Sequence, residues 1–178
     1  AGGISIQKIL EQRDKIKGIY GTVSELGNVE SEYSLAMEVC AGQKIKSIVV
    51  ESDKIAADCI RFLKNNKLGV ATFLPLNKIR PAKDRPDLKS LLKQPGVRGF
   101  AIDLISFDAK FKSVFGYVFG NTLVVDDIET ARKIGIGRVK MVTLDGDLTE
   151  LSGAMVGGCR HKKAGSFKGR ELNADIES

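Results

Sequence analysis

The chain has 178 residues, of which 43% are hydrophobic, so it is long enough to bury a core without disulfides or metal. Its formal net charge of +6 permits nucleic-acid binding but does not require it. No apolar run approaches the roughly 20 residues of a membrane span, and no signal peptide is visible, so we expect no membrane partner. The chain has three cysteines, Cys40, Cys59 and Cys159, and one histidine, His161. Their spacing matches no metal-ligand motif, which favours a reducing compartment and no bound metal.

Helical spacing of apolar residues marks the beginning of the chain. Ile6, Ile9 and Leu10 fall on one helical face, and Gly18 follows as a stop, which predicts an amphipathic helix over residues 4–17. The last segment, 161–178, is basic at first, and its Leu172 and Ile176 lie four residues apart. We therefore expect a helical stub at each end of the chain.

A proline-containing linker divides the chain into two lobes. All four prolines fall between residues 75 and 95, and residues 77–96 are polar and basic, with one short helical turn in "DLKSLL". The lobes on either side span residues 19–76 and 97–158. The sequence thus predicts two lobes joined by a basic, proline-containing linker.

The two lobes repeat each other in sequence. With a shift of 78 residues, Gly21 matches Gly99, and Gly42 matches Gly120. Leu26, Glu30 and Tyr33 likewise match Leu104, Asp108 and Phe111, and "IVVES" (48–52) then matches "LVVDD" (123–127) after a three-residue gap. The shared order of apolar and glycine positions indicates an ancient duplication.

Each lobe alternates strands and helices. Lobe one reads as a strand in "YGTVSEL", a helix whose apolar face carries Tyr33, Ala36, Met37 and Cys40, a strand in "KSIVV", a second helix with Asp53 as N-cap, and a final strand. Lobe two repeats this order from "GFAIDLISF" to "GRVKMVTL". The fold class predicted is α/β, with each sheet partly covered by helices.

A glycine-rich segment, "GDLTELSGAMVGG" (146–158), follows the last predicted strand. Bare backbone at such a place serves a phosphate, a tight turn or a second protein chain. The segment lacks the spacing of a phosphate loop, and Asp145 and Asp147 fit an Asp-Gly hairpin turn better than a metal pair. No nucleophile stands with a general base in a recognisable pattern, so we expect no catalytic residue and no cofactor.

An acid-free basic run follows the glycines: Arg160, Lys162, Lys163, Lys168 and Arg170. Such a run neutralises phosphates and gains free energy from counterion release, which favours non-specific DNA binding. The alternative is a solvated tail that binds nothing. The linker 77–96 is a second basic candidate, and aromatic residues are too sparse in the run to favour single-strand stacking.

Six ordered blocks resemble the hinge domain of SMC (structural maintenance of chromosomes) proteins. They are "GIYGTVSEL", "EYSLAMEVCAG", "KIKSIVVES", "GVATFLPL", "VTLDG" and the glycine spacing Gly146-x6-Gly153-x3-Gly157-Gly158. The likeness covers residues 18–160. It implies a module that joins two SMC chains, with residues 4–17 and 161–178 as the roots of an antiparallel coiled coil, and without the ATPase heads.

The resemblance also implies site residues and partners. Gly146, Gly153, Gly157 and Gly158 become candidate dimer-interface residues, and the partner is a second copy or a paralogue. The basic run becomes the candidate DNA contact, in a cytoplasmic, chromosome-associated protein of chromosome condensation and segregation. The alternatives are a phosphate- or nucleotide-binding α/β enzyme that uses the 146–158 segment, and a dimerising connector with no DNA role.

Overall fold

The computed structural model describes residues 3–160 and Phe167. Its helices are α1 (Gly3–Leu10), α2 (Val23–Leu26), α3 (Ser31–Ala41), α4 (Asp53–Asn65), α5 (Lys112–Phe119) and α6 (Ile128–Ile134). Its strands are β1 (Ile19–Thr22), β2 (Gly27–Val29), β3 (Ile48–Val50), β4 (Phe73–Pro75), β5 (Val97–Phe100), β6 (Ile105–Phe107), β7 (Thr122–Val125), β8 (Lys140–Thr143), β9 (Leu148–Thr149) and β10 (Met155–Val156). Within the described residues, no helix is long and apolar enough to cross a membrane.

Each lobe carries a sheet built on the same three strands. In lobe one the order is β1-β3-β4, with β1 antiparallel and β4 parallel to β3. In lobe two the order is β10-β9-β8-β7-β5, and β5 and β8 flank β7 in the same orientations. The mixed sheets and their helices confirm the predicted α/β class with two similar lobes.

The duplication extends to backbone detail. A β-bulge interrupts β1 between Ile19 and Gly21, and the same bulge interrupts β5 between Val97 and Gly99. Gly21 has a φ of +145° and Gly99 a φ of +140°, a conformation that residues with a Cβ rarely adopt. The repeated glycines of the sequence therefore mark a repeated bulge.

The lobes join through a two-stranded ladder between β2 and β6. Asn28 pairs with Ser106, its own counterpart 78 residues later, while Gly27 pairs with Phe107 and Val29 with Ile105. Because a residue meets its own equivalent at the centre of this antiparallel pair, a pseudo-two-fold axis passes between Asn28 and Ser106. The largest core cluster spans this axis and draws Met37, Phe115 and their neighbours from both lobes.

The long first strand predicted in each lobe is wrong. In lobe one it breaks at Thr22, whose Oγ1 accepts from the Glu25 backbone N–H at 3.2 Å, while the Glu25 carboxylate accepts from the Thr22 N–H at 2.9 Å. This capping box begins the short helix α2, and Thr-x-x-Glu in "TVSE" is its sequence signature. A 3₁₀ turn at Ala101–Asp103 breaks the lobe-two strand at the matching place.

Two helix boundaries also differ from the prediction. Helix α1 ends at Leu10, not at residue 17, since the Arg13 side chain donates to the Leu10 carbonyl at 3.3 Å and turns follow. Helix α4 has Ser52 and not Asp53 as its N-cap, because the Ser52 hydroxyl accepts from the Ile55 N–H. Asp53 is the first helical residue instead.

The second half of the predicted linker belongs to lobe two. Residues Pro86–Lys93 form a 3₁₀ helix whose Leu88 and Leu91 are buried against β7 and α6. The first half crosses α5, where Pro81 lies against Gly116 and the Asn121 side chain donates to the Lys83 carbonyl. The linker is therefore attached to lobe two at Pro81, Asn121, Leu88 and Leu91, while residues 80–87 remain exposed.

Candidate subunit interface

The glycine-rich segment begins with a tight hairpin turn between β8 and β9. Gly146 has a φ of +90°, its N–H donates to the Thr143 carbonyl, and the Thr143 N–H donates to the Asp147 carbonyl. The Thr143 hydroxyl bonds the Asp145 carboxylate at 2.7 Å and accepts from the Asp147 N–H at 2.9 Å. The turn interpretation of Asp145 and Asp147 is confirmed, since the Asp145 carboxylate and the Asp147 backbone both bond Thr143 across the turn.

Gly157 and Gly158 lie beside that turn. The Gly158 N–H donates to Oδ1 of Asp147 at 3.2 Å, and a Cβ on Gly157 would overlap the same carboxylate. Gly157 thus has a reason inside its own chain to lack a side chain. Gly158 has a φ of +146° with nothing within 4 Å of an added Cβ, so only its backbone conformation demands glycine.

Strand β10 forms an exposed apolar edge of the lobe-two sheet. Gly153, with a φ of +96°, turns the chain between β9 and β10, and its N–H donates to the Glu150 carbonyl. Met155 and Val156 are 50% and 56% exposed, and Leu151 beside them is 61% exposed. An exposed, apolar edge strand is a template for pairing with another chain.

Lobe one has its own open edge at β4. Val70, just before β4, is 83% exposed, more than any other large hydrophobic side chain among the described residues. The final strand predicted for lobe one gives no sign that Val70 lies outside it and exposed. Strand β4 is only three residues long, which places Val70 outside the packed ladder. The usable signal was a lone valine between Gly69 and Ala71.

The basic run lies mostly outside the described residues. Arg160 is described, and its guanidinium donates to the Gly146 carbonyl at 2.7 Å, so the run begins anchored on the hairpin turn. Lys162, Lys163, Lys168 and Arg170 fall outside the described part, as does the predicted returning stub from residue 168. In the linker, Arg85 pairs with Asp87 at 2.9 Å, while Lys78, Arg80 and Lys83 are exposed.

Two of the three cysteines are buried thiols. Burial raises the pKa of the Cys59 thiol to about 11, and burial also raises the pKa of Cys40. Cys159 is exposed. Across residues 3–160, no group of three His, Cys, Asp or Glu side chains is placed to hold a metal ion. The glycine segment leads into strands β9 and β10, whereas a phosphate loop leads into a helix N-terminus.

The fold and its two open edges define a duplicated α/β domain with the architecture of a connecting module. The family model described as "SMC proteins Flexible Hinge Domain" matches residues 16–135. The chain belongs to the SMC hinge family, as its glycine spacing and repeated lobes indicated.

Individual relatives agree with this assignment. The chain is 42% identical over 173 residues to the chromosome partition protein Smc of Synechocystis sp., a match that covers 97% of this chain and 14% of that protein. A solved asymmetric dimer of the Geobacillus stearothermophilus SMC hinge domain superposes with a TM-score of 0.83 at 31% identity, over 89% of this chain and 66% of that one. The Pyrococcus furiosus SMC hinge domain gives 0.74 at 37% identity, over 94% and 87%.

Proposed function

We propose that this chain is the dimerisation hinge of an SMC protein, joined to a second copy through its open sheet edges. The observation that carries the proposal is the exposed edge strand β10, with Met155 and Val156 about half exposed. Pairing converts unsatisfied edge N–H and C=O groups and exposed apolar area into an interface. The Geobacillus relative, named as a dimer of this domain, supports the proposal.

The two unlike edges favour a two-fold arrangement. The lobe-one edge at Val70–Pro75 of one chain meets the lobe-two edge at β10 of its partner, and the same contact recurs about the axis. Each lobe then meets the opposite lobe, so the contact closes at two chains and does not propagate. A constitutive contact of this kind buries on the order of 2,000 Å² or more in total.

Charge at the edges tests the dimer directly. Val156→Glu is expected to shift the chain from dimer to monomer in light scattering at micromolar concentration, because it places a carboxylate in the pairing edge. Leu92→Glu is the matched control, since Leu92 is 43% exposed but lies away from both edges. The proposal would be contradicted if the unsubstituted chain were monomeric, or if the Val156→Glu chain stayed dimeric.

A mixing experiment tests which lobes pair. Val70→Lys and Val156→Glu chains are each expected to dimerise poorly alone. Mixed together they should form a heterodimer, because one junction is then unchanged and the other joins a lysine to a glutamate. If lobe two paired with lobe two, mixing would not restore the dimer.

The four glycines enter this proposal with different roles. Gly146 and Gly153 turn the chain, and Gly157 accommodates Asp147, so all three shape the edge from within. Gly158 has open space around it, and we assign it to the partner contact. Gly157→Ala should disturb the hairpin through Asp147, and Gly158→Ala should strain the backbone at its φ of +146°. The partner contact is supported if Gly158→Ala weakens the dimer by more than its effect on the monomeric Val156→Glu background, measured by differential scanning calorimetry, accounts for.

Both ends of the chain are proposed to root a coiled coil. Helix α1 borders a groove of about 500 Å³ whose wall includes Ile6 and Leu10. Leu172 and Ile176 of the last segment, four residues apart, match such an apolar wall. Residues 4–17 and 161–178 would then carry the outgoing and returning arms.

We also propose that basic surface beside the hinge contacts DNA through its phosphates. The Arg160 side chain holds the start of the acid-free run on the hairpin turn, and Phe167 is buried against Phe119. Both described residues of this segment are therefore held on the folded domain. Contacts of this kind ignore base sequence and weaken steeply as salt rises, with a K_d of roughly 10⁻⁴–10⁻⁶ M at physiological salt.

Two charge-reversal sets separate the DNA candidates. Replacing Lys162, Lys163 and Lys168 by Glu should weaken binding in a gel shift and flatten its salt dependence, without changing the dimer. Replacing the exposed linker cations Lys78, Arg80 and Lys83 by Glu is the matched control. If only the linker set weakens binding, the contact moves there; if neither does, the chain is a dimerising connector with no DNA role.

The curated relatives are much longer than this domain. The chain spans 12–14% of the length of the first two curated relatives it matches. We propose that its parent is a chromosome-associated SMC ATPase of the cytoplasm that acts in condensation and segregation, and that this domain connects chains and catalyses nothing.

A further inference from the structure

A buried side chain of helix α1 bonds the backbone beside the open edge of lobe one. Ser5 is 1% exposed, and its Oγ donates to the Val70 carbonyl at 2.6 Å. The two residues are 65 apart in sequence. A buried serine in the root of the outgoing arm thus bonds the backbone that leads into the proposed pairing edge.

The hydrogen bond continues the ladder where strand β3 has ended. The Ile48 N–H donates to the Thr72 carbonyl, and the Leu76 N–H donates to the Val50 carbonyl, so alternate residues of the edge bond inward to β3. In an extended segment the Val70 carbonyl points the same way as that of Thr72. Strand β3 begins at Ile48 and offers it no partner, and the Ser5 hydroxyl takes that place.

At Val70 itself, side-chain packing contributes little. The Val70 side chain is 83% exposed, and Gly69 before it has open space around its Cα. A groove of about 250 Å³ runs beside the segment, bordered by Ile6, Lys46 and residues 70–72. Ala71 and Phe73 pack against the lobe-one core cluster, whereas at Val70 it is the Ser5 bond that fixes the direction of the backbone.

We infer that Ser5 is a positioning residue that sets the lobe-one edge for pairing and couples it to the orientation of helix α1. The inference rests on the proposed function, since it assumes that this edge meets a second copy of the chain. With Ser5 in place, Ala71 keeps its N–H and C=O directed away from β3, toward the partner. A rotation of the arm that withdraws Ser5 would release the edge and weaken the dimer.

The substitution Ser5→Ala removes one oxygen and tests the inference. Alanine is a better helix former than serine, so the change favours α1 itself while it frees the Val70 carbonyl. One hydrogen bond of ordinary strength corresponds to about five-fold in K_d, and two edges per dimer give about 25-fold. We expect that weakening in sedimentation of the full chain, while the melting temperature of the Val156→Glu monomer that carries the change should fall by no more than the loss of one intrachain hydrogen bond implies.

Amide hydrogen exchange distinguishes a positioning role of Ser5 from a general contribution to stability, because only the first changes exchange locally at the lobe-one edge. The amides of residues 70–72 should exchange faster in Ser5→Ala, while those of β7 keep their protection. Ser5→Thr retains the hydroxyl and should restore both exchange and dimerisation, and Gln7→Ala on the exposed side of α1 is the control that should change neither.

The failures are distinguishable. A dimeric unchanged chain with an unaltered K_d in Ser5→Ala would overturn this inference alone. A monomeric unchanged chain would overturn the proposed function, and the inference with it.

Discussion

The two lobes share a three-stranded plan but end their sheets differently. Lobe one stops at β4, whose approach is held by the Ser5 side chain, whereas lobe two adds the glycine-rich hairpin β9-β10. If the duplication had kept the two edges alike, each edge could pair equally well with the lobe-one edge or the lobe-two edge of a partner chain. In the proposed dimer, the unlike edges instead restrict which lobe meets which, and this asymmetry would let two chains close into a defined pair.

The junctions between the lobes show a second divergence. On one side of the pseudo-two-fold axis, Arg98 of lobe two bonds Asp126 at 2.6 Å and reaches Glu32 of lobe one at 3.2 Å. Its guanidinium also lies 3.5 Å from the Tyr33 hydroxyl. This junction is held mainly by charge.

On the other side, the equivalent positions carry aromatic contacts. Tyr20, the counterpart of Arg98, meets the Phe111 ring edge-on at a centroid distance of 5.2 Å. Lys110, the counterpart of Glu32, lies over the Tyr20 ring at 4.8 Å. The same backbone geometry therefore supports an ionic junction and an aromatic one, and salt should act mainly on the first.

The largest expected effect breaks what the lobes share. Phe115 is fully buried at the pseudo-two-fold axis, stacked on Phe107 at 4.4 Å and on Phe119 at 5.9 Å. Phe115→Ala should lower the free energy of unfolding by about 3–5 kcal/mol. Because the core cluster spans both lobes, calorimetry should still show one transition.

Leu63→Ala is the comparison for that experiment, because Leu63 belongs to a separate cluster within lobe one. It should cost about 2–5 kcal/mol and also leave a single transition. Two separated transitions in either variant would show that the lobes unfold independently, against the shared core.

An intermediate effect distinguishes the two junctions. Arg98→Met should lower the melting temperature of the Val156→Glu monomer at low salt, and the loss should shrink as salt rises, because the exposed ion pairs are screened. Tyr20→Leu removes an aromatic pair worth about 0.5–1.5 kcal/mol, and its effect should depend little on salt. Equal salt dependence in the two variants would contradict the assignment of one ionic and one aromatic junction.

Periodicity and glycine spacing predicted the features that repeat. The α/β class, the duplicated lobes and the apolar face of α3 with Ala36, Met37 and Cys40 all followed from local patterns, and all are confirmed. The match of Gly21 to Gly99 was visible in the sequence, although its cause, a shared bulge, needed the backbone.

Other features depended on contacts that sequence spacing does not reveal. The sequence "TVSE" carries the capping-box signature that breaks the chain at Thr22, but the prediction of one strand over "YGTVSEL" did not use it. The bond from Ser5 to Val70 joins residues 65 positions apart, and the overlap of Gly157 with Asp147 depends on the hairpin. Both features arise from contacts in the folded chain. The requirement for glycine at Gly157 therefore has a cause within the chain that glycine spacing alone does not reveal.

The smallest expected effect concerns the helix caps, where the lobes again differ at equivalent positions. Ser52 caps α4 in lobe one, and Asp127 caps α6 in lobe two by accepting from the Thr130 N–H at 2.9 Å and the Thr130 hydroxyl at 2.8 Å. These bonds, the backbone one first, hold the pKa of Asp127 below its ordinary value of 3.8.

A carboxylate whose pKa is lowered on folding stabilises the protein above its unfolded pKa, and that contribution is lost as pH falls through the folded pKa. The loss at Asp127 therefore falls below about pH 4. Asp127→Ser should leave stability near neutral pH unchanged, since Ser and Asp are comparable N-caps. Between pH 5 and pH 2, the melting temperature of the variant should fall less than that of the unsubstituted chain. Melting curves across that range measure the difference, with Asp84→Ser in the exposed linker as control. An unchanged acid profile would show that the Asp127 cap contributes nothing that depends on its charge, and that the two lobes cap their helices to equal effect by different chemistry.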